Sequence, residues 1–198
     1  MTRRSQAIVG LVAVTLAAVV LIVALASGGE SSDRRSSGQF AWLRPAPPPA
    51  GWNVATTASG AMLSYPPGWR PIRTDPGSAS VALLRAGVHD RIAGYLNATP
   101  KQGTETLANW SRFRPEHNRD EEDTLSVRVI ASSTDLAFRA GPGSCVIDDY
   151  TNSKASYREI ACLVSGRGSS AVVVAAAPIA LWDQQAATLQ RVVSSFVP

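Results

Sequence analysis

From residue 61 onward, apolar and polar positions alternate in short runs broken by Gly, Pro, Ser and Asp. That period of two predicts half-buried strands. "AMLSYPPGW" reads as a strand entering a turn at Pro66-Pro67-Gly68. "SVALLRAG", "RIAGYLNATP", "TLSVRVIASS" and "DLAFRAG" follow as strands, and "SAVVVAAAP" is the last. Two segments change period. Leu107, Trp110 and Phe113 recur every third residue, predicting a helix that begins near Thr104 as its cap and is ended by Pro115. Trp182, Ala186, Leu189, Val193 and Phe196 form one stripe of a closing helix over about residues 179–197. Consecutive hairpin-like strands with two helices predict an α+β domain: a largely antiparallel sheet with flanking helices.

"SCVIDDYTN" and "YREIACLVSG" complete the series as a hairpin. Centring its turn between Ser153 and Lys154 sets Cys145 opposite Cys162, within disulfide reach. The same register sets Tyr150 against Tyr157 and Asp149 against Arg158, both favourable pairs. It also sets Asp148 against Glu159, a like-charge pair that favours nothing. The expectation is a Cys145–Cys162 disulfide rather than a redox-active pair, because both cysteines lie in strands.

The N-terminal region has a different pattern. Residues 7–26, "AIVGLVAVTLAAVVLIVALA", carry no charge. A helix of that length rises about 30 Å, enough to cross a bilayer core. Arg3 and Arg4 precede it, so residues 1–6 are expected as a cytoplasmic tail and 7–26 as a single-pass signal anchor in the cell membrane. A cleaved signal peptide, giving a secreted binding protein, is the alternative, since "ALA" at 24–26 has the form of a cleavage site. Residues 27–50 read as a Ser/Gly-rich and then Pro-rich linker, with Phe40, Trp42 and Trp52 available to pack back. Residues 51–198 are then the extracytoplasmic α+β domain.

Charge narrows the function classes. The whole chain is +4, yet from Gly51 onward 14 Arg and Lys face 13 Asp and Glu. That balance supplies no clustered cations for a nucleic-acid groove. Only His89 and His117 are present, so no zinc-ligand spacing occurs, and no nucleophile elbow accompanies either histidine. The run Asp120, Glu121, Glu122, Asp123 lacks the spacing of a calcium loop. No metal and no cofactor are expected, and nothing in the sequence sets the oligomeric state.

The stretch "YLNATPKQGTETLANWSRFRPEHN" remains as candidate chemistry. Trp110 joins the buried stripe, while Arg112, Arg114 and His117 gather near the helix end, where cations meet the helix dipole favourably. Asn97 lies on the strand-end loop. Together Asn97, Trp110, Arg112, Arg114 and His117 are the candidate wall of a pocket for an anionic or sugar-like ligand. An alternative is an envelope hydrolase using His117 with Glu116 or Asp120.

"LSYPPGW", the alternating strands, the "LANW" helix and the closing "VVSSF" together resemble the PsbP-like and LpqN-like superfamily (Mog/PsbP) over about residues 55–197. The chain would be a membrane-anchored bacterial member, with residues 7–26 in place of the lipid-acceptor cysteine it lacks. The resemblance implies an α/β/α sandwich around an antiparallel sheet. It implies a non-enzymatic binding or accessory role, docking an envelope protein or glycan partner, with no shared catalytic residues.

Overall fold

The computed structural model describes residues 38–85, 91–121 and 123–198. The expected anchor at 7–26 lies outside them. Among the described residues no helix is long and apolar enough to cross a membrane. One compact unit runs from Phe40 to Pro198.

Strands β1 (Asn53–Thr56) and β2 (Met62–Tyr65) form a separate antiparallel ribbon. Strands β3 (Arg70–Ile72), β4 (Ala79–Arg85), β5 (Arg91–Pro100), β6 (Thr124–Ala137), β7 (Pro142–Asn152), β8 (Ser156–Ser165) and β9 (Ser170–Pro178) make one sheet. Its order is β3-β4-β5-β9-β8-β7-β6, and every neighbouring pair is antiparallel. Helix α1 (Trp110–Asp120) links β5 to β6, and α2 (Trp182–Ser195) closes the chain after one 3-10 turn, Ile179–Leu181. The α+β, antiparallel expectation holds.

The two faces of the sheet bury different things. Leu96, Cys145, Ile147, Ile160, Cys162, Val164, Val173 and Ala175 pack with Leu189, Val192, Val193 and Phe196 of the α2 segment in the main core. The alternate residues Val146, Ala161, Leu163 and Val174 pack under Trp110, Leu107 and Phe113. One helix therefore covers each face, as the period of two requires of a sheet whose central strands are apolar on both sides. Gly94 belongs to the main face, where a side chain would run into the Trp69 ring. The tight approach of that indole explains why the position is glycine.

The β7–β8 hairpin forms in the expected register. Cys145 pairs with Cys162, Asp148 with Glu159, Asp149 with Arg158 and Tyr150 with Tyr157. The cysteines are disulfide-bonded and fully buried.

Several details differ from the sequence reading. The helix starts at Trp110, with Asn109 rather than Thr104 at its cap position. Thr106 and Asn109 hold the preceding turn reciprocally, Thr106 N donating to Asn109 Oδ1 at 2.7 Å and Asn109 N to Thr106 Oγ1 at 3.1 Å. Pro115 does not end the helix; it lies inside it. An internal proline loses one backbone bond and costs about 3 kcal/mol. Side-chain anchoring of the following turn offsets that cost. The two strands expected on either side of Ser132–Thr134 are one long edge strand, β6. Its register shifts between Ser133 and Leu136, and Asp135 there has a φ of 57°. The break read from Ser, Thr and Asp is a bulge, which bends a strand without ending it. "AMLSYPPGW" is β2 followed by its turn, as read, and the short β3 begins just after it in the other sheet. The aromatic residues read as available to pack back do so. Phe40 is buried, Trp42 and Trp52 lie against the main core, and Ala46 N bonds Ser194 O at 3.2 Å.

Candidate functional site

Helix α1 lies over β6 and β7, at one side of its face of the sheet. Beside it, a groove of about 500 Å³ runs between the helix, the 101–105 loop and the β4–β5 side. That volume suits a small-molecule ligand.

Two elements make the walls. On β5, the residues Tyr95, Asn97 and Thr99 alternate outward, because Leu96 and Ala98 point into the main core. They join Ser78 and Ser80 in a chain of hydroxyls and one amide. Opposite lies α1. Its Phe113 ring stacks between Trp110 at 6.0 Å and His117 at 6.1 Å. The 101–105 loop is held by Glu105, whose carboxylate accepts from Gln102 N and Gly103 N, both at 2.8 Å. Burial works against the Glu105 charge, but these amides and Lys101 outweigh it and hold the carboxyl below its ordinary value.

At the inner end of the groove, α1 meets the Asp148–Glu159 rung. Arg114 donates twice to Glu159, from Nε at 2.7 Å and Nη2 at 2.9 Å. Asn118 Nδ2 reaches both Glu159 Oε1 at 3.1 Å and Asp148 Oδ2 at 3.4 Å. Asp148 and Glu159 are almost wholly buried, and Asp148 Oδ1 has no hydrogen-bond partner. Burial first, and then the Glu159 charge, push the Asp148 carboxyl up to about 8. Its surroundings favour the protonated form, beside a carboxylate already matched to Arg114.

This has a consequence for stability. A carboxyl raised in the fold from its ordinary 3.8 stabilises most fully below that value and loses its contribution as pH rises towards about 8. Glu105 and Asp149 are shifted the other way. Burial opposes the Asp149 charge, but bonds from Arg158 and Arg128 win. Their stabilisation is present above the ordinary carboxylate values and lost in acid. Maximum stability is therefore expected in mildly acidic solution. Denaturant melts across pH should fall by up to about 1.4 kcal/mol per pH unit on the alkaline side. Asp148→Asn, which keeps the shape and cannot ionise, should flatten that limb; an unchanged slope would show that Asp148 does not hold the proton.

Four of the five candidate residues line the groove: Asn97, Trp110, Arg114 and His117. Their parts differ from the expected ones. Trp110 is only 2% exposed, and its Nε1 donates to Ala161 O at 2.9 Å, so it presents little more than an edge. The Arg114 charge is matched by Glu159 and is not free for an anion. His117 is half-exposed and pairs with Glu121 at 3.4 Å. Arg112 is outside the groove, exposed, and 4.0 Å from Glu116. The hydrolase arrangement of His117 with Glu116 or Asp120 is thus not the pairing observed. Among the described residues, the polar partner of His117 is the Glu121 carboxylate and not a hydroxyl, and no cluster of His, Cys, Asp and Glu has the form of a metal site. Sequence reasoning missed Ser78, Tyr95 and Thr99, and it set Asp148 against Glu159 without placing that pair at the site. For the last a signal existed, because like charges opposed on a buried rung require a cation from another element.

No protein-family model matches the chain, and no curated protein sequence matches it. Solved structures do resemble it. Cyanobacterial PsbP (CyanoP) from Synechocystis aligns at 13% identity over 75% of this chain and 93% of its own, with a TM-score of 0.52. LpqN of Mycobacterium tuberculosis, described as involved in cell envelope biogenesis, aligns at 14% identity over 77% and 82%, with a TM-score of 0.35. PA94 of Pseudomonas aeruginosa, a protein of unknown function, aligns at 12% identity over 75% and 98%, with a TM-score of 0.47. At these identities the likeness concerns fold alone, and the CyanoP alignment carries it: the chain has a PsbP-like α+β fold.

Proposed function

We propose that the folded unit is a non-enzymatic binding module that takes a small polar envelope ligand, such as a glycan end, between α1 and β5. Residues 7–26 would anchor it in the membrane with the domain outside the cytoplasm. The observation that carries this reading is the groove of about 500 Å³ with hydroxyl and amide groups on one wall and Phe113 on the other. The buried disulfide supports an oxidising compartment. The hydrolase reading has less support, because His117 faces Glu121 and solvent.

Hydrogen exchange of the chain in the presence of solubilised envelope glycan tests it. Protection is expected over β5 and α1. Asn97→Leu should weaken binding about tenfold, the worth of one well-placed hydrogen bond. Protection confined to other elements would move the site. Turnover of envelope esters or peptides, abolished by His117→Ala, would replace the binder with an enzyme.

A further inference from the structure

We infer that the groove selects ligands that donate hydrogen bonds, amino- and hydroxyl-bearing molecules of hexosamine size, over ligands that carry a carboxylate. The inference rests on the groove being the binding site.

A serine, threonine or tyrosine hydroxyl has one proton and two lone pairs. Ser80 Oγ donates its proton to Thr74 Oγ1 at 2.8 Å. The Tyr95 hydroxyl, 3.3 Å from Ser80 Oγ, must then be the donor in that contact. Asn97 Nδ2 also donates to Ser80 Oγ, at 2.9 Å. Thr99 donates its proton to Asn97 Oδ1 at 2.7 Å. Ser78 Oγ, 2.9 Å from Thr99 Oγ1, must therefore donate to Thr99. The hydroxyl protons of Ser78, Ser80, Tyr95 and Thr99 are all used within the protein. The wall presents a guest with lone pairs on Ser78, Tyr95 and Thr99, and with one remaining amide proton on Asn97.

The charges act in the same direction. Asp75 lines the groove, and Glu121 does so with His117 beside it at 3.4 Å. Arg114 has turned its Nε and Nη2 to Glu159. An ammonium or hydroxyl donor meets acceptors it can satisfy. At the hydroxyl wall a carboxylate meets lone pairs and the Asp75 charge, and the desolvation of both is left uncompensated there. The half-buried Phe113 face adds an apolar surface suited to a sugar ring or an ammonium group.

Three hexoses with one ring and different substituents separate the possibilities: glucosamine, glucose and glucuronate. Calorimetric titration of the full-length chain in detergent, in mildly acidic buffer where the amine is protonated, should rank them in that order. Glucosamine and glucuronate should differ by at least about tenfold. Ser78→Phe, which fills the groove, should remove the binding. Asp75→Asn, at an exposed position, should bring glucosamine down to the level of glucose. Glucuronate binding as tightly as glucosamine, and lost in Ser78→Phe, would overturn the selection for donors while the groove stands. Binding that survives Ser78→Phe in a folded variant, or no binding by any of the three, would overturn the groove reading and this inference together. Should Ser78→Phe fail to fold, the Asp75→Asn comparison still decides the donor preference.

Discussion

Arg114→Met is expected to destabilise the fold by about 3–5 kcal/mol, although it replaces a polar side chain with an apolar one of similar length. The reason lies in the rung beneath it. Asp148 and Glu159 oppose each other across β7 and β8, both almost fully buried, and Arg114 is the cation that faces them. Removing it leaves a buried carboxylate without a counter-charge beside a buried acid. Asp148, whose charged form Arg114 favours, would then resist ionisation further, so the loss should grow as pH rises. The bridge itself is not the source of stability, since taking two charges out of water costs about as much as their attraction returns. Arg114→Met combined with Glu159→Met should therefore recover most of the loss. Arg114→Lys should recover only part, because an ammonium cannot make the two parallel bonds of the guanidinium. Urea melts of the four proteins at two pH values decide the matter. A single-variant loss under about 1 kcal/mol would mean that the pair behaves as a surface bridge.

Trp110→Ala is expected to cost about 3–5 kcal/mol, the usual range for emptying a buried aromatic site. Trp110 roofs the smaller core, over Val146, Ala161, Leu163 and Val174, and its indole donates to Ala161 O. It is also the first residue of α1, so its loss should loosen the helix that forms one wall of the groove. Trp110→Phe separates packing from ligand contact. It keeps most of the apolar volume and removes the indole donor, a change worth about 1 kcal/mol. If Trp110 acts through packing, Trp110→Phe should bind groove ligands nearly as the parent does. A large fall in affinity with stability intact would instead make Trp110 a ligand contact.

Both predictions concern residues that the sequence had marked, for reasons the structure changed. Trp110 stood out as an aromatic beside two arginines, and Arg114 as a free cation at a helix end. The spacing of Leu107, Trp110 and Phe113 predicted a shared apolar face, and all three do pack in one cluster. What spacing could not supply was the depth at which Arg114 sits, because that depends on which strands α1 crosses. The proline shows the same limit. Pro115 locally disfavours helix, yet α1 continues to Asp120, where Asn118 is tied to Asp148 and Glu159. A tertiary anchor outweighed a local penalty of about 3 kcal/mol.

The sequence by itself determined the elements whose signals are local. Period-two runs marked β2 and β4 to β9, though not the short β1 and β3, and the stripe ending at Phe196 marked α2. The position of one turn was enough to set the β7–β8 register, since a hairpin has a single residue offset and the Cys, Tyr and Asp–Arg pairs all agreed with it. Only the tertiary structure decided the groove. It brings β5 beside β9, more than seventy residues later in the chain, and leaves the β4–β5 hydroxyls facing a helix. It also decided where each hydroxyl proton goes, because that depends on neighbours from Thr74 to Thr99 held within hydrogen-bond distance. Contacts between residues distant in sequence carry no periodic signal, and they are what make this wall an acceptor and Arg114 a buried counter-ion.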